Sequence, residues 1–266
     1  MRGAALDVYD LAALEAALAD SVFAGKLHFS PVTDSTNSDA QEAARGGAPH
    51  GSVYFADEQL AGRGRGDHAW RSDAGDGLTV SVLLRPQVPV LRLPLLPLAA
   101  GLAAAEAIRA VTGLTADLRW PNDLLIGPRK IGGILVEAKS ARGVVDYAAV
   151  GLGVNVHQQG FGSDLAAIAT SLDLETGRRI SRQDLLVALL ESLECEALGL
   201  ADPAAGVTIP ARVEQASTWI CERRVEVHGP QACTGVTAGL DENGFLRVVT
   251  TDGLVTVQTG GIRAAG

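Results

Sequence analysis

The sequence AGRGRGDHAW at residues 61–70 combines residue types that hold anions. Arg63 and Arg65 alternate with glycines in this stretch, and a tryptophan ends it. Arginine forks match the oxygens of carboxylates and phosphates, and glycines let backbone N–H groups approach an anion closely. Because no Gly-Lys-Ser/Thr sequence follows, the stretch is not a P-loop. It indicates either an anion-binding loop between two strands or an exposed cationic loop without a role.

Two residues have the chemistry to recognise a nucleobase. Trp70 can stack on a base. Asn155, in the apolar sequence GLGVNV at 151–156, can hydrogen-bond to an adenine edge. Each also has a structural explanation, because tryptophans most often pack in the core and a buried amide needs a hydrogen-bond partner. The residues alone leave both explanations open.

A third group of candidates lies in RWPNDLLIGPRKIGGILVE, at residues 119–137. Lys130 is one of three lysines in the chain, and a pair of glycines follows it in an apolar strand pattern. Glycines inside a strand often mark the close approach of a ligand, so a cation here could hold a carboxylate or phosphate. Asn122 and Asp123 follow a proline, which on its own indicates only a turn. The hydroxyls of TDSTNS at 33–38 are likewise explained by helix capping.

Composition excludes several classes of protein and site. The 266 residues suffice for one large domain, with or without a small one. A formal charge of -9 argues against non-specific binding of duplex nucleic acid, which depends on neutralising many phosphates. Three cysteines without a CxxC pattern and five scattered histidines argue against a disulfide framework and a zinc site. Apolar runs are shorter than the roughly 18 residues of a membrane span, and acidic residues near the N-terminus argue against a signal peptide. We therefore expect a cytoplasmic protein without a membrane contact.

Hydrophobic periodicity and turn residues divide the chain into helices and strands. The predicted helices cover residues 10–20, 34–47, a long buried stretch that ends near 112, 164–172, 182–198 and 208–217. The predicted strands cover residues 27–32, 51–58, 78–86, 117–126, 131–140 and 144–156. Tight turns join the last three strands, which favours a meander and hence a mixed or antiparallel sheet.

The pattern changes at Trp219, after which short β-rich runs are separated by polar turns. They cover residues 223–229, 233–240, 245–250 and 254–260. Such runs are typical of a small all-β module, and a barrel is the form that closes its edges. The sequence therefore predicts an α+β fold with a central mixed or antiparallel sheet and flanking helices over 1–217. A small β-barrel module is expected over 218–266.

Five motifs follow one another along the chain: DSTN, QLAGRGRG with a tryptophan after it, RWPNDLL, RKIGGILVE and GLGVNV. Each motif is weak alone, but their order and spacing together are specific. From about Thr33 to the C-terminal module, the sequence resembles biotin–protein ligases, also called biotin–[acetyl-CoA-carboxylase] ligases. The resemblance implies a catalytic domain like that of class II aminoacyl-tRNA synthetases and an SH3-like C-terminal β-barrel.

The resemblance also implies a reaction in two steps. Family members activate biotin with ATP and Mg²⁺ to biotinyl-5′-AMP and release pyrophosphate. They then transfer biotin to one lysine of the biotin carboxyl carrier domain of acyl-CoA or pyruvate carboxylases. Some relatives carry an N-terminal DNA-binding domain and act as repressors. Because the DSTN motif begins at residue 34, we expect the monofunctional form without specific DNA binding.

Motif by motif, the resemblance implies roles for residues of this chain. Biotin would be bound by Ser35, Thr36, Asn37, Gln59, Gly62, Arg63, Lys130, Gly132 and Gly133. ATP and the adenylate would be bound by Arg63, Gly64, Arg65, Trp70, Asn122, Lys130 and Asn155. Lys130, Arg65 and Asp123 would act in catalysis. Asp123 would bind Mg²⁺ or orient the attacking carrier lysine.

The loop departs from the family pattern at one point. The sequence Gly66-Asp67-His68-Ala69 stands where many relatives continue with arginines. Asp67 lowers the local positive charge, so the order of the ligand-free loop and its retention of the adenylate stay open. The oligomeric state stays open too, because relatives can form homodimers that are weak or depend on ligand.

Two other functions compete with this interpretation. A lipoate–protein ligase uses the same adenylate chemistry, but the GRGRG loop and Trp70 favour biotin. A non-catalytic nucleic-acid-binding module would use the Gly-Arg loop and the late barrel. The low content of basic residues and the lack of clustered aromatics on the late strands count against it.

Overall fold

A seven-stranded sheet forms the centre of the computed structural model, which describes residues 8–66 and 68–265. Its strands are β1 (Leu27–Thr33), β2 (Ser52–Gln59), β3 (Gly77–Leu84), β4 (Asp117–Arg119), β5 (Asp123–Ile126), β6 (Arg129–Ala141) and β7 (Val144–Asn155). The spatial order is β1-β2-β3-β7-β6-β5-β4. β1 and β2 are parallel, and the other neighbouring pairs are antiparallel. The predicted mixed sheet with its meander is confirmed, and three motif-bearing strands (β5, β6 and β7) lie side by side.

Six α-helices flank this sheet within the described residues. They are α1 (Leu11–Ala17), α2 (Thr36–Arg45), α3 (Leu95–Thr112), α4 (Leu172–Thr176), α5 (Arg182–Leu200) and α6 (Ala205–Ala216). α3 packs against α5, α6 and β6, which buries most of its leucine and alanine side chains. Among the described residues, Val90–Thr112 is the one helical segment long and apolar enough to cross a membrane. Within it, 61% of the most apolar stretch is buried inside the fold, as in a core helix.

The single strand predicted over 117–126 is wrong, because the structure folds this segment into a hairpin. β4 ends at Arg119 and β5 begins at Asp123, and these two residues are partners across the hairpin. Pro121 lies in the turn, where its missing N–H breaks no ladder hydrogen bond. The hairpin therefore presents Asn122 and Asp123 at a strand end rather than along a strand.

The helix predicted over 164–172 is also wrong. Residues 163–168 form hydrogen-bonded turns, and α4 begins only at Leu172. Backbone groups of this segment bond to β6 instead of to a helix. The N–H of Lys130 donates to Ile168 O at 2.7 Å, and the N–H of Thr170 donates to Lys130 O at 2.9 Å. These two bonds pin the segment beside the start of β6, so it cannot continue as a helix.

A second, antiparallel sheet of five strands follows α6. Its strands are β8 (Cys221–His228), β9 (Cys233–Leu240), β10 (Leu246–Thr250), β11 (Gly253–Val257) and β12 (Gly261–Ala264), in the order β11-β10-β9-β8-β12. This sheet is consistent with the predicted small β domain, and the predicted boundary at 217/218 falls in the connection between α6 and β8. The sequence did not indicate β12, because four residues that include a glycine and an arginine show no apolar alternation.

Candidate active site

A cavity of about 1030 Å³ opens beside the motif-bearing strands. Volumes of this size are typical of sites for small organic ligands. Most of the predicted site residues line it: Ser35, Thr36, Asn37, Gln59, Arg63, Gly64, Arg65, Trp70, Asn122, Asp123, Lys130, Gly133 and Asn155. The structure thus brings together residues that are far apart along the chain.

Two predicted binding residues, Gly62 and Gly132, lie behind the cavity wall instead. A Cβ on Gly62 would lie 2.4 Å from Trp70 O, and a Cβ on Gly132 would lie 2.7 Å from Gly153 O. Both positions therefore need glycine so that two backbone segments can pass closely. Neither is among the residues that line the cavity, so their contacts with biotin stay predictions.

One part of the cavity is a neutral hydrogen-bonding network at the start of α2. Thr36 donates from its backbone N–H and from Oγ1 to Gln59 Oε1, at 2.8 and 3.1 Å. Ser81 Oγ lies 2.8 Å from Thr36 Oγ1 and donates to Asn37 Oδ1 at 2.7 Å. Ser35 occupies the N-cap position of α2, but its side chain makes no capping hydrogen bond. Capping therefore does not account for the Ser35 hydroxyl, which lines the cavity with its neighbours.

Sequence reasoning missed Ser81, although a signal for it was present. Thr79 and Ser81 are the polar residues of the otherwise apolar strand β3, two positions apart and hence on the same face. Polar side chains buried on one strand face need partners, and here Thr36 and Asn37 supply those of Ser81. The network fixes the donors and acceptors that a neutral polar ligand group would meet.

A second part of the cavity is a cluster of charges around Asp123. Lys130 Nζ lies 2.5 Å from Asp123 Oδ1, and Arg119 donates from Nη2 and Nε to Asp123 Oδ2 at 2.6 and 3.1 Å. Burial favours a raised pKa for the Asp123 carboxyl, but the opposing effects of Lys130 and Arg119 prevail and lower it below its ordinary value. Asp123 is therefore ionised. Sequence reasoning missed Arg119, which only the hairpin brings to Asp123.

The two loop arginines contact different parts of the fold. Arg63 forms a two-pronged ion pair with Glu137 of β6, with Nη1–Oε1 and Nη2–Oε2 distances of 2.9 Å. Arg65 Nη1 donates to Gly260 O of the C-terminal sheet at 2.6 Å. Burial lowers the pKa of the Arg65 guanidinium, and the nearby Asp123 opposes this shift. The loop thus spans from the central sheet to the C-terminal module, through Glu137 and Gly260, which sequence reasoning had not selected.

Asp67, to which the open question of loop order was attached, lies outside the described residues. The neighbouring His68 is exposed, and its Nδ1 lies 2.9 Å from Arg65 O. This local contact does not decide how the loop would respond to a ligand, so the effect of the substituted loop sequence stays a prediction.

A third part of the cavity is aromatic and carries two amides. Trp70 is half-buried and lies against Gly153 of β7, where a Cβ would come within 2.4 Å of indole Cε2. The Asn155 and Asn122 side chains donate from Nδ2 to Thr170 O and Ile134 O, at 3.0 and 2.7 Å. Each carboxamide is therefore held in place by one bond to the backbone. Packing in the core does not account for Trp70, which lines the cavity.

Two further segments that sequence analysis had left out complete the wall. Leu165 and Ile168, which are 48% and 56% exposed, line the cavity from the turns that precede α4. His228 and Thr259 line it from the C-terminal module, which the sequence had given no site residue. Leu165 and Ile168 thus add apolar surface to the edge of the cavity.

Known proteins similar to this chain are biotin–protein ligases. The family model "Biotin/lipoate A/B protein ligase family" matches residues 29–155. A biotin–[acetyl-CoA-carboxylase] ligase of Mycobacterium tuberculosis is 34% identical over 239 residues, which are 86% of this chain and 85% of that protein. The bifunctional ligase/repressor BirA of Bacillus spizizenii is 38% identical over 179 residues, 66% of this chain. That match spans 55% of the repressor's length.

The solved structures agree as well. The biotin protein ligase of Aquifex aeolicus, solved in complex with biotin and ATP, superposes with a TM-score of 0.79 at 28% identity. The superposition covers 91% of this chain and 100% of that one. The similarity therefore includes both the central sheet with its cavity and the C-terminal module. The chain belongs to the biotin–protein ligase family.

Proposed function

We propose that this chain is a biotin–protein ligase that converts biotin and MgATP to biotinyl-5′-AMP and pyrophosphate. It then transfers biotin to a lysine of a biotin carboxyl carrier domain. The observation that carries the proposal is that one cavity joins three chemically distinct parts. The neutral network at Thr36 suits the ureido ring, the cations around Asp123 suit the carboxylate and phosphates, and Trp70 suits the adenine.

The charge cluster around Asp123 can lower the electrostatic barrier to adenylate formation, the first step of the reaction. Biotin carboxylate and ATP are both anionic, so the attack on the α-phosphorus needs positive charge already in place. Lys130 and Arg65 supply fixed cations in a partly buried site, where they act more strongly than in water. Holding both substrates in one cavity supplies the orientation of the attack. The net charge of -9 does not oppose this, because the attraction is local.

The arginine loop, residues 61–70, can protect the adenylate intermediate from water. An adenylate reacts with water, so a site that holds it until the carrier arrives has to exclude solvent. Arg63 and Arg65 tie this loop to Glu137 on one side and to Gly260 on the other. The loop is therefore placed to cover the cavity between the sheet and the module.

The described residues offer no cluster that would hold Mg²⁺ without the phosphates of ATP, which usually supply most of its ligands. Among residues 8–66 and 68–265, no group of three or more His, Cys, Asp or Glu side chains could hold a metal. Both oxygens of Asp123 are occupied by Arg119 and Lys130. Mg²⁺ would therefore enter as part of the substrate, bound to the phosphates of ATP. Once Lys130 has turned to an anion of the substrates, Asp123 Oδ1 is available either to Mg²⁺ or to the carrier lysine, so both predicted roles of Asp123 stay predictions.

The partners follow from the same proposal. They are biotin, ATP and the carrier domains of acyl-CoA or pyruvate carboxylases, in the cytoplasm. Operator DNA is not among the expected partners, and a specific footprint on DNA would contradict that prediction. A sedimentation measurement with and without biotin and ATP would decide whether a ligand-dependent homodimer forms.

The test of the function separates the two half-reactions. Biotin-dependent exchange of pyrophosphate into ATP, with Mg²⁺ varied, measures activation alone, and labelling of a carrier domain measures transfer. The same assays with lipoate in place of biotin test the lipoate–protein ligase alternative. Exchange that depends on lipoate and not on biotin would overturn the proposal. Salt-dependent binding of nucleic acid without any exchange would instead favour the non-catalytic alternative.

The packing of Trp70 on Gly153 leads to a first prediction. Gly153→Ala places a Cβ within 2.4 Å of the indole, so the ring has to move. Since stacking of one base on an aromatic ring contributes about 1–3 kcal/mol, we expect the KM for ATP to rise about tenfold while the KM for biotin changes little. Steady-state exchange kinetics measure both values.

Gly199→Ala is the control, because no heavy atom lies within 4 Å of the added carbon. Thermal unfolding of both variants separates ligand binding from stability. An unchanged KM for ATP in folded Gly153→Ala would show that the indole does not contact the nucleotide.

A further inference from the structure

Arg119 is the residue of the charge cluster to which the family motifs give no role. Its Nη2 and Nε both donate to Oδ2 of Asp123, at 2.6 and 3.1 Å. The other oxygen, Oδ1, is left for Lys130 Nζ at 2.5 Å. The carboxylate therefore has two cations on two separate oxygens, and the hydrogen bonds from Arg119 do not involve the oxygen that Lys130 contacts.

This division is important because Lys130 has to change partner. A ligand carboxylate or phosphate that recruits Lys130 draws it away from Asp123. The Asp123 side chain is only 17% exposed, and an ionised carboxylate that loses its counter-ion in such a place is strongly destabilised. Arg119 removes that obstacle, since its two hydrogen bonds to Oδ2 persist after Lys130 has left.

We infer that Arg119 is a positioning residue that frees Lys130 for the anionic ligand by remaining paired with Asp123. We also infer that the segment 217–219, which leads into the C-terminal module, holds Arg119 in place. The inference deepens the proposed function and rests on it, because it assumes that Lys130 binds an anion of the substrates. It also gives the module an effect on the catalytic cluster.

The second part rests on consecutive contacts between this segment and β4. Ser217 Oγ donates to Leu118 O at 2.5 Å. Thr218 donates to the two oxygens of Asp117, from its N–H at 2.9 Å and from Oγ1 at 2.6 Å. Residues 217 and 218 are thus bonded side by side to residues 118 and 117 of β4. The next residue of the segment, Trp219, then meets Arg119.

Trp219 is the residue of this segment that reaches Arg119 itself. Its buried ring lies 5.4 Å from the guanidinium carbon of Arg119 and 4.4 Å from that of Arg223 on β8. A guanidinium near an aromatic face is attracted by the ring and loses freedom to rotate. The neighbouring Trp120 is held from the same module, because its Nε1 donates to Gly244 O at 3.1 Å.

The test compares Arg119→Met, Arg119→Lys and Trp219→Leu with the wild type in the intact chain. Arg109→Met is the matched control, because Arg109 forms an exposed ion pair with Glu106 away from the cavity. Biotin affinity is measured by calorimetry without ATP, and kcat and KM are measured by pyrophosphate exchange. Thermal unfolding of every variant reports on the fold.

We expect Arg119→Met to lower biotin affinity and kcat/KM for biotin by roughly 10- to 100-fold, the equivalent of one hydrogen bond to a charged group. Arg119→Lys keeps the positive charge but cannot make both hydrogen bonds to Oδ2, so we expect a smaller loss of biotin affinity. Trp219→Leu should lower biotin affinity by a still smaller factor, and Arg109→Met should bind biotin like the wild type. The diagnostic result is rescue: Arg119→Met combined with Asp123→Asn regains biotin affinity, since a neutral amide no longer retains Lys130.

Two results would overturn the inference. Wild-type biotin affinity in Arg119→Met would show that Lys130 needs no such help, and a double variant as impaired as the single one would show a merely structural effect. If the segment 217–219 holds Arg119 through Trp219, the fall in Tm of the double variant Arg119→Met/Trp219→Leu should be smaller than the sum of the two single falls. Additive falls would exclude this part of the inference. Absence of exchange in the wild type would refute the proposed function instead, and the Tm comparison would still decide whether the segment 217–219 holds Arg119.

Discussion

Lys130→Ala will slow the formation of biotinyl-5′-AMP by roughly 100-fold or more, the usual loss when one preorganised charge-stabilising donor is removed. Its ammonium group lies at the centre of the charge cluster, 2.5 Å from Asp123, with about a third of the side chain exposed to the cavity. No other lysine lines the cavity among the described residues. Among the cavity arginines, Arg63 and Arg119 are paired with Glu137 and Asp123, so the variant loses the cation that is free to change partner.

The fold should tolerate this change, which makes the kinetic result interpretable. Asp123 keeps its two hydrogen bonds from Arg119 when Lys130 is removed, so no buried charge is left alone. Lys139→Ala is the matched control, because this lysine lies exposed on the same strand. Pre-steady-state adenylation and thermal unfolding are measured on both. Near-normal adenylation by folded Lys130→Ala would refute the role of Lys130.

The rate and the binding constant distinguish two effects of Lys130. If Lys130 stabilises charge that develops in the transition state, kcat falls together with kcat/KM. If it only binds the biotin carboxylate, the KM for biotin rises and kcat is kept. We expect both effects, because Lys130 binds the biotin carboxylate before the reaction and also stabilises the charge where the two anionic reactants meet: the KM for biotin rises and kcat falls.

The central sheet could be predicted because its signals are local. β3 is buried along its whole length and appears in the sequence as an apolar run, and glycine turns separate β5, β6 and β7. The motif residues lie at the ends of these strands, so predicting the strands also placed the residues. The hairpin at Trp120–Asn122 was missed because β4 and β5 are only three and four residues long. Segments so short have no measurable period.

The residues that contact the predicted site residues could not be predicted from local sequence signals. Glu137 is separated from Arg63 by 74 positions, and Gly260 is separated from Arg65 by 195. Such pairs depend on how the sheet and the module are packed, which no window of the sequence contains. Gly260 also contributes only a backbone carbonyl, for which the residue type carries no signal. Arg119 was missed for a different reason: it lies only four positions before Asp123, but the hairpin that pairs them has strands too short to show a period.

The contact between Arg65 and Gly260 is the basis of the second prediction, which concerns retention of the adenylate. Arg65→Ala will release the adenylate faster, by about tenfold or more, while the Tm changes little. The bond is charge-assisted and half-buried, so its loss is equivalent to about 1.5–3 kcal/mol of retention. It links the arginine loop to the C-terminal module across the cavity, so removing it opens the side through which the adenylate would leave. The fold should depend on it less, because neither sheet is built on this bond.

The measurement is the rate at which preformed biotinyl-5′-AMP leaves the enzyme, taken together with thermal unfolding. Arg45→Ala is the control, since Arg45 is exposed at the end of α2 and does not line the cavity. Thr259→Ala removes only the weaker contact of Arg65, at 3.5 Å, and should retain the adenylate nearly as well as the wild type. Equal retention by Arg65→Ala and the wild type would show that the loop is not closed by this arginine. A Tm that falls in step with retention would show that Arg65 supports the fold and not the closure.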